Sequence, residues 1–317
     1  MRRGFKTVFA MRDEIFASWK AGVVKGQYCG FENFYNFYSM KPGATTYVYG
    51  HPFAGKSLVW FEMCLGLTEL FGYNHAIFSP ETGKASSIMI KLISMYLKKS
   101  FYKGFHNSAS EQEIDMAITH LNEHFFIAAD DEDFKDLEDY YEYCDQIEKD
   151  NNKFLHQTIV DPYNELENNF AGEARDMYTG RQLKLCRLNA IKKNRHNTII
   201  THCRDILPLK SKDDNGNEFS YYPAPRPQEI LNGQEFHRKG MMMVAVWRPS
   251  QGLKDEHGRP FELNETRLIV QKYKDEHSGE LGAASVFYDK HSYRFYELYN
   301  GVQRYSAKKE ITNPYKF

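Results

Sequence analysis

Thr45-Thr46-Tyr47-Val48-Tyr49-Gly50-His51-Pro52-Phe53-Ala54-Gly55-Lys56-Ser57-Leu58 passes from a β-rich apolar run through a glycine loop into a helical pattern that continues to Leu70. Strand, G-x-x-x-x-G-K-S and helix, in that order, are the context of a phosphate-binding loop. The two glycines let the backbone curl so that its N–H groups point inward, and the helix N-terminus adds the positive end of its dipole. These flanks separate the stretch from a glycine-lysine turn that binds nothing. Gly50, His51, Pro52, Phe53, Ala54, Gly55, Lys56, Ser57 and Leu58 are therefore the candidate contacts for a nucleotide such as ATP. Lys56 is expected to reach the β- and γ-phosphates and Ser57 to ligate Mg2+.

The 317 residues suit one large α/β domain with appendages or two small domains. With 41 Lys+Arg against 42 Asp+Glu, net charge predicts no polyanion partner, so any nucleic-acid surface is a local patch. The cysteines (Cys29, Cys64, Cys144, Cys186, Cys203) are scattered and odd in number, and none forms a CxxC pair. They read as reduced thiols, with neither a disulfide frame nor a zinc site. The N-terminus lacks an apolar signal region, and no run approaches the ~18 apolar residues of a membrane span. A cytoplasmic protein, encoded by a cell or by a phage, is the expectation.

Outward from the glycine loop, residues 6–25 carry Val8, Phe9, Met11, Ile15, Phe16 and Trp19 on a broadly helical stripe. That helix packs on its own domain or docks on a neighbouring subunit, and the pattern leaves both open. After the loop helix, short apolar strands at 74–78, 125–129, 156–160 and 197–201 alternate with helices at 84–103, 111–121, 135–149 and 173–193. Residues 208–229, with Asn215-Gly216 and four prolines, read as a long polar loop. Strands at 241–247 and 267–271 and a hairpin around Asp289-Lys290-His291-Ser292 follow. The order predicts an α/β fold: a mainly parallel sheet flanked by helices, with an antiparallel C-terminal extension.

Ligands of such sheets bind at the carboxyl ends of the strands, and the polar residues of interest fall at strand ends. Asp161 follows an apolar strand, where a carboxylate holds Mg2+ opposite Ser57; a turn-starting Asp before Pro162 is the plainer reading. Glu81 ends the strand after the loop helix and is the candidate base for an attacking water, against an exposed loop acid. His202 is either a γ-phosphate contact or a satisfied core histidine. Lys272 and Lys274, two apart on a strand, face one way and suit phosphate charge on a neighbouring subunit, although solvated lysines fit the spacing as well. Arg248 is similar. Candidate nucleic-acid contacts are Asn168, Asn169, Arg175, Lys210, Lys212 and Arg226, with Tyr221 and Tyr222 as stacking rings.

Taken together, the motifs resemble the hexameric replicative helicases with a RecA-type core, nearest to the Twinkle-like and phage-type members and more distantly the DnaB-type ones. GHPFAGKS is similar to the family's Walker A. FSPE resembles the segment of the catalytic glutamate, here Glu81, and IVDPYNEL the Walker B, with Asp161 directing the metal. IITHCRD resembles the γ-phosphate-sensing strand, carried by His202. QKYKDEHSGELG resembles the K-x-R…G-x-x-G element that reaches the next subunit's nucleotide. The resemblance implies an ATP- and Mg2+-dependent DNA helicase that moves along single-stranded DNA during replication. A RecA-like DNA-dependent ATPase without unwinding activity, such as a recombinase, loader or packaging factor, is the alternative. A nucleotide-binding subunit that has lost turnover is a third reading.

The resemblance further implies a hexameric ring, Lys272 as the trans-acting lysine and Lys274 in place of the arginine finger. The lysine is a departure, because a point charge replaces a planar two-pronged donor, and Arg267 or Arg248 would have to compensate. An acid often found before the late strand is also missing, since Lys239-Gly240-Met241 stands there. Residues 1–30 would be a linker helix clipped to a neighbour and 31–317 the ATPase domain. Loops at 166–177 and 208–229 would line the DNA channel. With no primase or zinc segment in the sequence, a separate primase or polymerase partner is expected.

Overall fold

The structure, a computed structural model, describes residues 6–168, 170, 172–231, 233–274 and 279–306. Strand β1 (Thr45–Gly50) pairs in parallel with β5 (His196–His202) on one side and β8 (Met242–Trp247) on the other. Next to β5 lie β4 (Gln157–Val160), β2 (His75–Phe78) and β3 (Phe125–Ile127), all parallel. Beyond β8 the direction reverses: β9 (Glu265–Tyr273), β10 (Gly282–Asp289), β11 (Arg294–Tyr299) and β12 (Val302–Tyr305) are antiparallel. The sheet order is β12-β11-β10-β9-β8-β1-β5-β4-β2-β3.

The central strands are apolar on both faces because helices cover both, as parallel strands require. Alternation sorts the side chains. Val48, Ile77, Ile200 and Val244 join one core with α3 (Lys56–Phe71), α4 (Ala85–Leu97) and α5 (Glu111–Asn122). Tyr47, Tyr49, Phe78, Ile199 and Met243 join the other with α6 (Leu137–Asn151), α7 (Arg175–Lys193) and α8 (Gly233–Lys239). The five cysteines are buried free thiols within these layers.

Several expectations are corrected. The helix expected at 84–103 stops at Leu97, where Lys98 turns left-handed at φ 56. Residues 208–229 are not simply a loop. They hold a two-stranded hairpin of β6 (Leu209–Lys212) and β7 (Glu218–Tyr221), turned at Asn215-Gly216. The seven-residue α8 and the edge strand β12 lie where no element was expected. In the N-terminal segment, a 3-10 turn (Phe9–Met11) leads into α1, confined to Arg12–Ala21, and the short α2 (Glu32–Tyr35) precedes β1. The turn and α1 bury none of their residues: Phe9 is 88% and Trp19 75% exposed. Against the described residues the stripe is left largely uncovered.

A buried ion pair fastens the glycine-loop helix to the antiparallel extension. Glu62 on α3 accepts from Arg294 Nη2 at 2.6 Å and Nε at 3.1 Å, and from the backbone N of Phe295 at 3.3 Å. Both side chains are fully enclosed, and Arg294 also donates to the Ser306 carbonyl at 2.8 Å. Arg294→Met is expected to cost about 3–5 kcal/mol in urea unfolding by leaving Glu62 buried and unpaired, and Glu62→Met/Arg294→Met to recover most of it.

Two buried histidines set a pH dependence. Burial lowers His75 from its ordinary 6.5 to about 3 and His196 to about 4. Below pH 6.5 the unfolded chain takes up protons that the folded chain refuses. Stability is therefore fully present above the unfolded value and falls as pH drops towards 4, by up to about 1.4 kcal/mol per pH unit for each histidine. Urea midpoints measured from about pH 7 to about pH 5 should fall accordingly, and a flat profile contradicts the assignment.

Candidate functional site

Gly50, the last residue of β1, is where the chain must leave the sheet. A Cβ there would meet the Val246 carbonyl oxygen at 2.2 Å, so only glycine passes. The loop closes at Gly55, φ +87, before α3 starts at Lys56. Between them Phe53 stands almost fully exposed with φ 61, and Ala54 N donates to the His51 carbonyl at 3.3 Å. The loop thus turns directly into the N-terminus of α3.

Lys56 curls back into the loop. Its Nζ donates to the carbonyls of Gly50 and His51, both at 3.2 Å, and to His202 Nδ1 at 3.3 Å. Because Lys56 is a donor only, His202 Nδ1 accepts, which leaves Nε2–H to donate to Glu81 Oε2 at 2.8 Å. Lys56, His202 and Glu81 thus form one hydrogen-bonded chain across the ends of β1, β5 and β2. Burial pushes the Lys56 ammonium down from its usual range, against the opposing pull of Asp161, Cys203 and Glu81.

Asp161 follows β4 and is 4% exposed. Its Oδ2 accepts from Ser79 Oγ at 2.8 Å and from Thr82 Oγ1 at 3.4 Å, and the Ser57 hydroxyl lies near enough to its carboxylate to favour the charged form. Burial raises the Asp161 carboxyl, while Ser57, Ser79 and the Lys56 charge pull it back. A buried carboxylate against a serine hydroxyl is a hard-oxygen pair that fits Mg2+, an ion that takes one or two protein oxygens and fills the rest with phosphate and water. Among the described residues no cluster of three or more acidic, His or Cys side chains offers a complete metal cage. Ser79 and Thr82 were not singled out in the sequence; their signal was the FSPET segment around Glu81, whose short 3-10 turn (Pro80–Thr82) folds them onto Asp161.

Lys272 and Lys274 are not at this edge. They end β9, which is antiparallel to β8, so they lie beside the start of β8: Lys272 pairs with Met243, and Lys274 N donates to the Met241 carbonyl at 3.0 Å. That is the far edge of the sheet, about 20 Å from the loop for six-residue strands. The expectation that all the polar motifs share the carboxyl edge is corrected by this reversal. Lys272 Nζ is held by the His237 carbonyl, whereas Lys274 is exposed. Burial, then Lys274, lowers Lys272. Arg267 is engaged by Glu256 at 2.9 and 3.2 Å and Arg248 donates to the Leu263 carbonyl at 3.3 Å, so neither reaches the lysine edge.

The nucleic-acid candidates are dispersed. Lys210 and Lys212 are exposed on the hairpin, and Arg226 is exposed beyond it. Arg175 opens α7 with its guanidinium 5.5 Å from the Phe170 ring. Asn168 is bonded back to the carbonyls of Tyr163 and Leu166, at 3.2 and 2.9 Å. Asn169 lies outside the described residues. Tyr221 stands beside Phe219, and the Tyr222 ring packs on the His51 imidazole, 5.2 Å between centroids.

No family model matches the chain. It is similar to the Twinkle homolog protein, chloroplastic/mitochondrial, of Arabidopsis thaliana: 26% identical over 298 residues, which is 90% of this chain and 38% of that protein. The chain thus spans under two fifths of that relative's length. Among solved structures it matches an ATPase domain with a TM-score of 0.70 at 15% identity, covering 93% of this chain and 100% of that one. A DnaB-like replicative helicase, described with its interactions with primase, matches with a TM-score of 0.70 at 14% identity, covering 92% of this chain and 68% of that one. The fold is the RecA-like ATPase fold of these domains.

Glu81→Gln should leave nucleotide binding intact and cut ATP turnover by about 10²–10⁴-fold. Ser79→Ala should raise the Mg2+ concentration for half-maximal nucleotide binding by about 10-fold, through loss of the hydrogen bond that orients Asp161. Binding and turnover titrations on the two variants check both.

Proposed function

We propose that this chain is an ATP-dependent DNA helicase motor that translocates on single-stranded DNA and separates duplex during replication. The observation that carries the reading is the convergence of Lys56, Ser57, Glu81, Asp161 and His202 at one sheet edge. The similarity to the Twinkle homolog and the shared fold with a DnaB-like replicative helicase supply the direction.

In this proposal the loop at residues 50–58 receives the ATP phosphates, and Lys56 exchanges the Gly50 and His51 carbonyls for phosphate oxygens. Ser57 and Asp161 hold Mg2+, which supplies charge neutralisation on the phosphates when bound. Glu81 orients the attacking water and takes its proton. His202 steadies Glu81 through Nε2–H and answers to the γ-phosphate, so occupancy of the site and readiness of the base are linked. Lys272 and Lys274 act on the nucleotide of an adjacent subunit, Lys274 as a point charge in the position of a planar donor.

Residues 1–30 are assigned as a linker and 31–317 as the ATPase domain. The exposed Phe9, Phe16 and Trp19 of the linker suit docking on a second copy in a hexameric ring. Arg175, Lys210, Lys212 and Arg226 are assigned to gripping the single-strand backbone, a sequence-tolerant and salt-dependent contact. A separate primase or polymerase completes the machinery, and the cytoplasm, that of a host if the chain is phage-encoded, is the assigned compartment. Among the described residues no helix is long and apolar enough to cross a membrane.

The deciding experiment is fork unwinding by wild type and Lys56→Ala. Wild type should separate the duplex with ATP and Mg2+, and the variant should not. Hydrolysis on single strands without strand separation would instead support a DNA-dependent ATPase that does not unwind. Phe16→Ser/Trp19→Ser should reduce the sized assembly, because these side chains stand largely exposed among the described residues.

A further inference from the structure

The β6–β7 hairpin is rooted at both ends in the nucleotide edge. At its start, β5 runs into Cys203, whose N donates to the Gly50 carbonyl at 3.4 Å. Cys203 also bridges Ile230, and Leu231 N donates to the His202 carbonyl at 3.2 Å. At its end, Tyr222 follows β7 directly. The Tyr222 carbonyl accepts from Trp247 Nε1 at 2.9 Å, at the end of β8. A little further on, the Pro225 carbonyl accepts from Gln271 Nε2 at 2.7 Å, and Gln271 Oε1 accepts from Tyr49 OH at 2.7 Å, on β1 itself.

The Tyr222 backbone is therefore fixed to the sheet while its ring is spent on the loop. It lies against the His51 imidazole, tilted by 37°. His51 is 7% exposed, its Nε2 has no hydrogen-bond partner, and the Pro223 backbone lies near its imidazole. His51 belongs to the loop that encloses Lys56, whose Nζ donates to the His51 carbonyl. One short path, hairpin to Tyr222 ring to His51 to Lys56, joins the hairpin that carries the exposed Lys210 and Lys212 to the nucleotide loop.

We propose that Tyr222 is a positioning residue that couples the β6–β7 hairpin to the nucleotide loop, through its ring contact with His51. Tyr222 touches neither nucleotide nor strand in this assignment. It sets the loop geometry according to the hairpin's position, and the hairpin's position according to whether the loop is filled. The proposal rests on the motor reading only for the partner at the hairpin, single-stranded DNA.

The test uses wild type, Tyr222→Ala and Tyr222→Phe, with two readouts. One is ATP turnover with and without oligo-dT, together with oligo-dT binding. The other is amide hydrogen exchange of residues 209–221 with and without Mg-ATPγS. Tyr222→Ala should keep oligo-dT binding close to wild type, while the ratio of turnover with to turnover without oligo-dT falls about 5-fold or more. Its hairpin exchange should no longer respond to nucleotide, and Tyr222→Phe should restore both responses because the ring is retained. Nucleotide-responsive exchange in Tyr222→Ala would overturn the coupling, as would a Phe variant that behaves like Ala. Loss of oligo-dT binding in Tyr222→Ala would make the residue a strand contact and also overturn it. A wild type whose turnover ignores oligo-dT sinks the motor reading, and the exchange arm then decides the coupling alone.

Discussion

The Lys56 ammonium, 6% exposed, sits between two backbone carbonyls and an imidazole. A buried charge is tolerated only with partners in good geometry, and here the partners come from several strand ends. Gly50 and His51 close β1, and His202 closes β5. Glu81 and Asp161, which pull the ammonium back towards its charged form, follow β2 and β4. The parallel registers β1–β5, β5–β4 and β4–β2 bring these ends to one level. The double-sided apolar burial of the same strands keeps that level rigid. The Glu62–Arg294 pair extends the restraint by tying α3, which begins at Lys56, to β11.

The parts of this arrangement that could be read from the sequence were those written locally. The glycine loop is contiguous, and Glu81, Asp161 and His202 each follow a short apolar run, so their placement needed only strand ends and a parallel sheet. The fold class followed from the same alternation. What could not be read depends on contacts distant in sequence or on weak local pattern. β6 and β7 have four residues each, and the few apolar side chains of their shared face, Leu209, Phe219 and Tyr221, are too short a run to mark strands. The helix α8 is short and begins at a glycine. Tyr222 was legible only as an aromatic in a polar stretch, and its packing on His51 of the glycine loop is a tertiary fact. Ser79 and Thr82 were hidden because a hydroxyl's role is set by what folds against it.

The N-terminal helix shows the reverse case. Its apolar stripe was visible, but periodicity says only that a face wants covering, not what covers it. Among the described residues the stripe stays largely uncovered.

The reversal between β8 and β9 has a geometric consequence. The glycine loop and the two lysines occupy opposite rims of the same sheet. A contact that joins them uses two different patches, one from each copy, and is heterologous. Such a contact repeats head to tail: it closes into a ring when the rotation allows, or runs on as a filament, and it never resolves into a self-complementary two-fold pair. Every copy in the resulting array points the same way round, so the array has a sense of rotation that no copy possesses alone.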